Sequence, residues 1–140
     1  DFYGTAIAFP FGMNKDGCED LIRDPIRVTE DGGIIFAAPI PNHSVLYLMS
    51  GTSTDLIQAA EQAVVQSHSE QPTVRLVLDC ESRRMYLGEQ FEEEVALLQR
   101  TATGPMVGVT SYGEVSSIGD GLLEVHNKTI VVAGLSEASA

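Results

Sequence analysis

The chain has 140 residues, 44% of them apolar and 6% aromatic, and contains no tryptophan, a composition typical of a single water-soluble globular domain. Its 20 acidic and 8 basic residues give a net charge of −12, and the largest basic cluster is Arg83-Arg84, which argues against binding to nucleic-acid phosphates or anionic membrane surfaces. No apolar run approaches the roughly 20 residues that a membrane-spanning helix needs.

The first part of the chain predicts strands. Residues 2–11 have the pattern of an opening strand that ends at Pro10, and the polar residues 12–25 indicate a loop. Two short β-type runs, 26–29 and 33–38, flank Glu30-Asp31-Gly32, a turn sequence of the kind that closes hairpins. Residues 44–49 add another strand. We therefore predict a β-meander for the first half of the chain.

Two helical regions follow, with a strand between them. Residues 50–55 form a helix-start cluster, and the apolar residues after it recur at helical spacing. Residues 74–80 predict a central strand that is buried on both sides. Residues 81–102 predict a second helical region, with Gly88 as a candidate break and Phe91, Val95 and Leu98 as the buried stripe.

The last part of the chain holds two β-type runs, residues 106–112 and 128–135. The segment that joins them carries the densest group of chemically useful polar residues: Tyr112, Gly113, Glu114, His126 and Asn127. The order of elements predicts an α+β fold, a mixed and largely antiparallel sheet covered by two main helices in a single domain. We predict that this domain spans residues 1–136 and that residues 137–140 form a flexible tail.

Two motifs make the chain similar to a known family. Residues 74–135 carry the first motif at Cys80, Arg83, Leu87, Gly88 and Glu94, and the second at Gly108, Tyr112, Gly113, Glu114, His126, Asn127 and Thr129. In this order they resemble the C-terminal domain of FIST proteins, a sensory family in signal transduction. The resemblance implies an input domain that binds a small ligand such as an amino acid, without a cofactor. It also implies a preceding N-terminal FIST domain and a downstream signalling domain or partner, so the start at Asp1 suggests a fragment.

The ligand site is expected where strands end, because rigid strands position the residues that follow them. Arg83 suits a carboxylate, since a guanidinium can donate two parallel hydrogen bonds to it. Glu114 would accept from an ammonium or hydroxyl group, and Tyr112 and Asn127 would orient the ligand. The predicted ligand-binding residues are therefore Cys80, Arg83, Tyr112, Gly113, Glu114, His126 and Asn127.

Residue types alone leave structural alternatives open for these positions. Arg83 could pair internally with Glu94 or Glu114, and Cys80 could be a small buried apolar residue. Gly113 could be a bulge and Asn127 a turn residue. A different function, a protein-interaction module that docks through the acidic helix at residues 89–94, also remains open.

Catalysis and metal binding are less favoured. A cysteine-dependent enzyme would use Cys80 as nucleophile and His126 as base, with Glu114 or Asn127 orienting the base, but the spacing is not that of a nucleophile elbow. The histidines, His43, His68 and His126, lack metal-ligand spacing. Cys18 and Cys80 form no C-x-x-C pair, so a disulfide between them is possible but not implied. Because no signal peptide opens the chain, we expect reduced thiols in a cytoplasmic protein. The resemblance to a sensory family implies that the protein is not an enzyme.

Overall fold

The computed structural model describes residues 2–15, 20–67, 74–117 and 121–136. The helices are α1 (Phe2–Ala6), α2 (Ser53–Gln66), α3 (Glu81–Leu87) and α4 (Phe91–Thr101), with a 3-10 turn at Gly88–Gln90. The strands are β1 (Phe11–Met13), β2 (Leu21–Arg23), β3 (Pro25–Val28), β4 (Ile34–Phe36), β5 (Leu46–Leu48), β6 (Val74–Cys80), β7 (Met106–Ser111), β8 (Glu114–Ser116), β9 (Glu124–His126) and β10 (Ile130–Leu135). The predicted α+β fold is confirmed.

The centre of the fold is a mixed three-stranded sheet in the order β10-β6-β7. Strand β6 pairs antiparallel with β10 and parallel with β7, and α3 and α4 make the crossover that a parallel pair requires. Helices α2 and α4 pack on one face of this sheet around a core of Ala60, Val64, Val77 and Leu98. The prediction of residues 74–80 as the central strand is therefore confirmed. The prediction that this strand is buried on both sides is wrong, because the two helices pack on one face only and Val74, Leu76 and Leu78, on the other face, are half-buried.

The sequence specifies where the main helices begin and break. Thr52 caps α2 in a capping box, in which its hydroxyl accepts from the Asp55 N–H at 3.2 Å and the Asp55 carboxylate accepts from the Thr52 N–H at 2.7 Å. Gly88 takes φ +55° between α3 and α4, a conformation that favours glycine, so the predicted break is confirmed. No helix in the described ranges has both the length and the apolar character to cross a bilayer.

The other strands form three further small sheets. Strand β1 lies between β2 and β5 in an antiparallel sheet. Strands β3 and β4 form the hairpin that the turn at residues 30–32 predicts, with a register shift between Pro25 and Arg27. Strands β8 and β9 form a second hairpin. The strands of the first half therefore divide between two sheets instead of following one another in a single meander.

The prediction of a strand over residues 2–11 is wrong. Residues Phe2–Ala6 form the short helix α1, and the strand begins only at Phe11. Helix and strand propensities differ by well under 1 kcal/mol for most of these residues, so tertiary contacts decide. The buried Ala6 and the Tyr3 hydroxyl, which lies 3.7 Å from Met85 Sδ, join α1 to the rest of the domain.

The prediction of a loop over residues 12–25 is also wrong in part. Strand β1 extends to Met13 and strand β2 covers Leu21–Arg23. Three-residue strands are too short to show an alternating pattern, so only their pairing reveals them. The predictions for Cys18, His68 and the tail at residues 137–140 fall outside the described residues.

Candidate functional site

The carboxyl end of β6 borders a small cavity of about 60 Å³. Three of the predicted site residues, Cys80, Tyr112 and Asn127, line it together with Asp24 and Ser82. Cys80 Sγ lies 3.3 Å from Ser82 Oγ, the Ser82 hydroxyl donates to Asp24 Oδ2 at 2.5 Å, and the Asp24 N–H donates to Asn127 Oδ1 at 3.3 Å. The cavity is far below the roughly 300 Å³ at which ligand pockets begin, so it does not by itself accommodate an amino acid.

Glu114 is buried beside Cys80, with 1% of its surface exposed. Its Oε1 accepts from the Ser111 hydroxyl at 2.7 Å, and its Oε2 accepts from the Thr129 hydroxyl at 2.9 Å. Burial raises the pKa of this carboxyl, and the two hydroxyl donors oppose the rise. Both oxygens therefore have partners inside the protein, which tie β7 and β8 to the start of β10.

His126 and Gly113 belong to the packing of the β8–β9 hairpin. His126 lies opposite Glu114 in the register and is 4% exposed, with Nε2 3.2 Å from the Ser116 carbonyl oxygen. A Cβ on Gly113 would lie 3.3 Å from Val125 Cγ1 and 3.6 Å from the His126 carbonyl oxygen. The close approach at Gly113 is thus made by the neighbouring strand.

The contacts of Cys80 and His126 bear on the catalytic alternative. Burial raises the pKa of the Cys80 thiol, which disfavours the thiolate that nucleophilic catalysis needs. The sulfur has the Ser82 hydroxyl as its neighbour, and the imidazole has the Ser116 carbonyl, so neither contact joins thiol to imidazole. Within the part of the chain that the structure describes, no three His, Cys, Asp or Glu side chains are grouped so that they could hold a metal ion.

Arg83 is 3% exposed and lies in a buried charge network with two carboxylates. Its Nε donates to Asp79 Oδ1 at 3.0 Å, and its Nη2 donates to Glu94 Oε2 and, at 3.1 Å, to the Leu56 carbonyl oxygen. Burial raises the pKa of Asp79 and raises that of Glu94 to about 7, while the guanidinium opposes both rises. The internal partner that the sequence left open is therefore Glu94.

Arg83 also borders a larger cavity of about 350 Å³, which opens between the segment after α1 and helices α2 and α3. Its apolar wall consists of Ile7, Ala8, Pro10, Ile22, Met49, Leu56 and Ala59. Its polar lining consists of Ser50, Gly51, Asp55, Arg83, Tyr86 and Lys128. The cavity therefore combines an apolar wall with two cationic side chains, and it draws on segments from both ends of the chain.

Lys128 is the cationic residue of this cavity that sequence reasoning missed. It is 8% exposed, its Nζ donates to the Ile7 carbonyl oxygen at 2.7 Å, and the same nitrogen lies 3.7 Å from Asp24 Oδ1 and 5.6 Å from the centre of the Tyr86 ring. Burial lowers the pKa of the ammonium, and Asp24 opposes the decrease. The one available signal was its position next to Asn127, at the start of the last strand.

The backbone at Lys128 is held in an uncommon conformation. Its φ is +54°, in the left-handed region that non-glycine residues rarely adopt. Such positions cost roughly 1–3 kcal/mol and are found disproportionately at functional sites. Here the left-handed turn carries the chain from His126 and Asn127 into β10 and directs the ammonium group into the cavity wall.

The pair formed by Asp24 and Lys128 separates the two cavities. Asp24 lines the small cavity, Lys128 lines the large one, and Asp24 Oδ1 has no hydrogen-bond partner among the described residues. The predicted site residues accordingly fall into three places. Cys80, Tyr112 and Asn127 surround the small cavity, Arg83 lines the large one, and Gly113, Glu114 and His126 lie in the β8–β9 region.

Comparison with known proteins identifies one family. A family model described as the FIST C domain matches residues 1–117 of the 140. No curated protein and no solved structure matches the chain. The matched residues include Cys80, Arg83 and Glu114, whereas His126 and Asn127, from the second motif of the sequence resemblance, lie beyond them.

Proposed function

The chain belongs to the FIST C domain family of sensory domains in signal transduction, and we propose that it senses a small carboxylate ligand, such as an amino acid or organic acid, bound in the 350 Å³ cavity. The observation that carries the proposal is the buried ammonium of Lys128 in the wall of that cavity, beside Arg83. In this site the ligand lies on the Lys128 side of the Asp24–Lys128 pair. The site predicted from the sequence, at the strand ends near Glu114, lies on the Asp24 side.

The size and lining of the cavity suit a small molecule with one charged end. Its volume is near the lower end of the range for ligand pockets, about 300–1,000 Å³. The wall around Met49 and Leu56 is apolar and would take the hydrocarbon part of a ligand. At the rim, Asp55 could face an ammonium group, although its Oδ2 already accepts from Thr52.

A carboxylate is the group that Lys128 would recognise. The ammonium group loses hydration by burial, and the carboxylate nearest to it, in Asp24, is 3.7 Å away. A ligand carboxylate in the cavity would supply a further anionic acceptor and offset part of this loss. Arg83 is already shared by Asp79 and Glu94, so we assign Lys128 the main role and Arg83 a supporting one.

The other predicted residues would then hold Lys128 and Asp24 in position without contacting the ligand. Asn127 accepts the Asp24 N–H, and together with Ser82 it fixes the carboxylate that faces Lys128. Cys80 and Tyr112 border the same small cavity. Glu114, His126 and Gly113 hold the β8–β9 hairpin, which precedes the left-handed turn at Lys128.

A sensor of this kind performs no chemistry on its ligand, so we propose that the domain is not an enzyme. We propose that it acts in the cytoplasm, and that its signal passes to a preceding N-terminal FIST domain and to a downstream signalling domain or partner. No cofactor is needed for such a role.

The test is a ligand screen on the 140-residue chain and on a Lys128→Met variant, which keeps an unbranched side chain but removes the charge. Amino acids and organic acids are screened by thermal shift, and hits are measured by calorimetry. A ligand at about 100 times its dissociation constant should stabilise the protein by roughly 2.7 kcal/mol. Loss of a charge-assisted hydrogen bond should weaken binding about 10- to 100-fold in the variant.

Lys15→Met is the matched control, because Lys15 is the other lysine of the chain and pairs with Glu124 at 2.5 Å outside the cavity. The control should bind as the unchanged protein does. Binding that survives Lys128→Met would place the ligand elsewhere. A screen without any hit would refute small-ligand sensing and favour the interaction module, for which Glu89, Glu92 and Glu93 form an exposed acidic surface.

A further inference from the structure

The two cations that line the 350 Å³ cavity have N–H groups without acceptors. Among the described residues, the one hydrogen bond of the Lys128 ammonium goes to the Ile7 carbonyl oxygen, and Asp24 Oδ1, at 3.7 Å, lies beyond hydrogen-bond distance. Arg83 makes its hydrogen bonds through Nε and Nη2, and its Nη1 has no partner in the part of the chain that the structure describes. An anionic acceptor in the cavity would therefore find unused donors on both cations.

Several acceptors of the same lining already have donors. The backbone carbonyl groups that accept hydrogen bonds in this way belong to Ile7, Pro10, Gly51 and Leu56. The anionic acceptor of the lining, Asp55, is exposed at the rim, and its Oδ2 accepts from both the N–H and the hydroxyl of Thr52 at 2.7 Å. An exposed carboxylate strengthens the binding of a cation by about fivefold or less. A ligand ammonium group would therefore lose hydration in the cavity and would have to compete with donors already in place.

The rest of the cavity wall is apolar and includes Ile22, Met49 and Ala59. A second carboxylate at the far end of a ligand would lie against this wall without donors, or near Asp55, whose charge would repel it. We propose that the ligand sensed in this cavity is an aliphatic monocarboxylate, which has neither an ammonium group nor a second carboxylate. This inference rests on the proposed function, because it specifies the ligand of the same site, and it selects organic acids over amino acids.

The balance of buried charge also limits the ligand to a single negative charge. Arg83 faces Asp79 and Glu94, and Lys128 faces Asp24, so the buried carboxylates already outnumber the cations. Burial raises the pKa of Glu94 to about 7, so this carboxyl can hold a proton when a ligand carboxylate enters. A dicarboxylate would bring a further charge that no group described at the cavity offsets.

The test is calorimetry of the 140-residue chain with hexanoate, norleucine, adipate and hexylamine, which share the same straight carbon chain. Norleucine adds an ammonium group to hexanoate, adipate adds a second carboxylate, and hexylamine replaces the carboxylate by a cation. Hexanoate should bind about 10- to 100-fold more tightly than each of the others, because a charged group without a buried partner lowers affinity by about this factor. Shortening hexanoate to butanoate should weaken binding by about fourfold per methylene, as expected for a tail on the apolar wall.

The outcomes separate this inference from the proposed function. Hexanoate binding should weaken about 10- to 100-fold in Lys128→Met and persist in Lys15→Met. If norleucine or adipate binds as tightly as hexanoate and with the same dependence on Lys128, the monocarboxylate inference is overturned and carboxylate sensing stands. Equal binding of hexylamine would overturn the inference as well, because the tail alone would then drive binding. If no carboxylate binds, both proposals fail. The ligand comparison uses the unchanged protein, so it does not depend on the folding of a variant.

Discussion

Replacement of Glu94 by glutamine should remove much of the pH dependence of stability. Glu94 is completely buried, its Oε2 accepts from Arg83, and its Oε1 has no hydrogen-bond partner among the described residues. Burial raises the pKa of this carboxyl from 4.5 to about 7. The folded protein therefore holds the Glu94 proton more tightly than the unfolded chain does.

The sign and size of the effect follow from linkage. Below pH 4.5 the carboxyl is protonated in both states, so the raised pKa has no effect on stability. Between pH 4.5 and pH 7 only the unfolded chain releases the proton, and the free energy of unfolding falls as pH rises. Above about pH 7 the decrease is complete, at roughly 3 kcal/mol for Glu94. Glutamine cannot ionise and should avoid this loss.

Urea denaturation followed by circular dichroism at pH 5, 6, 7 and 8 measures the effect. The stability of the unchanged protein relative to Glu94→Gln should fall by about 2.5 kcal/mol from pH 5 to pH 8, because the first part of the decrease lies below pH 5. Asp79 shares Arg83 with Glu94, and burial raises its pKa as well, so Glu94→Gln also changes the titration of Asp79. The same comparison in an Asp79→Asn background isolates the contribution of Glu94. Glu92→Gln, at an exposed position of the same helix, should retain the full pH dependence. Parallel curves for Glu94→Gln and the unchanged protein would show that Arg83 keeps Glu94 ionised, contrary to our reasoning.

Two further substitutions test the core and the joint between the helices. Leu98→Ala should destabilise the protein by about 2–5 kcal/mol in urea denaturation, because Leu98 is 3% exposed in the core between α4 and the sheet. Leu48→Ala, at a 62% exposed position, should change stability by less than about 0.5 kcal/mol, and equal effects would contradict the assigned core. Gly88→Ala should cost about 1–3 kcal/mol from φ +55° alone, since a Cβ there meets no atom within 4 Å. A neutral result in thermal melts would show that the joint adopts another conformation.

Local signals explain which elements the sequence predicts. The hairpin of β3 and β4, the cap at Thr52 and the break at Gly88 each depend on a few neighbouring residues with a specific conformational preference. Strand β6 is recognisable because it is long and apolar. Helix α1 and strand β2 are short, so long-range contacts decide their structure and the local sequence does not predict it.

The sequence alone does not predict the candidate site, because the residues that line it come together only in the folded chain. The large cavity joins Ile7, Met49, Leu56 and Lys128, which are far apart in the sequence. For Arg83 the sequence offered Glu94 as one internal partner, and only the fold, which brings these two side chains together, selects it. The strand-end argument located Cys80, Tyr112 and Asn127 around one cavity but could not give its volume, which is too small for an amino acid.

The pairing of β6 with β10 shows that the end of the family match is not a folding boundary. The match ends at residue 117, yet β10 pairs with β6 from Ile130↔Asp79 to Leu135↔Val74. A protein truncated after residue 117 would lose β9, Lys128 and one of the two neighbours of its central strand. The amide and carbonyl groups along that edge of β6 would be left for intermolecular pairing, so we expect such a fragment to aggregate. Recombinant versions of the domain, and alignments that set its limits, should therefore extend at least to Leu135.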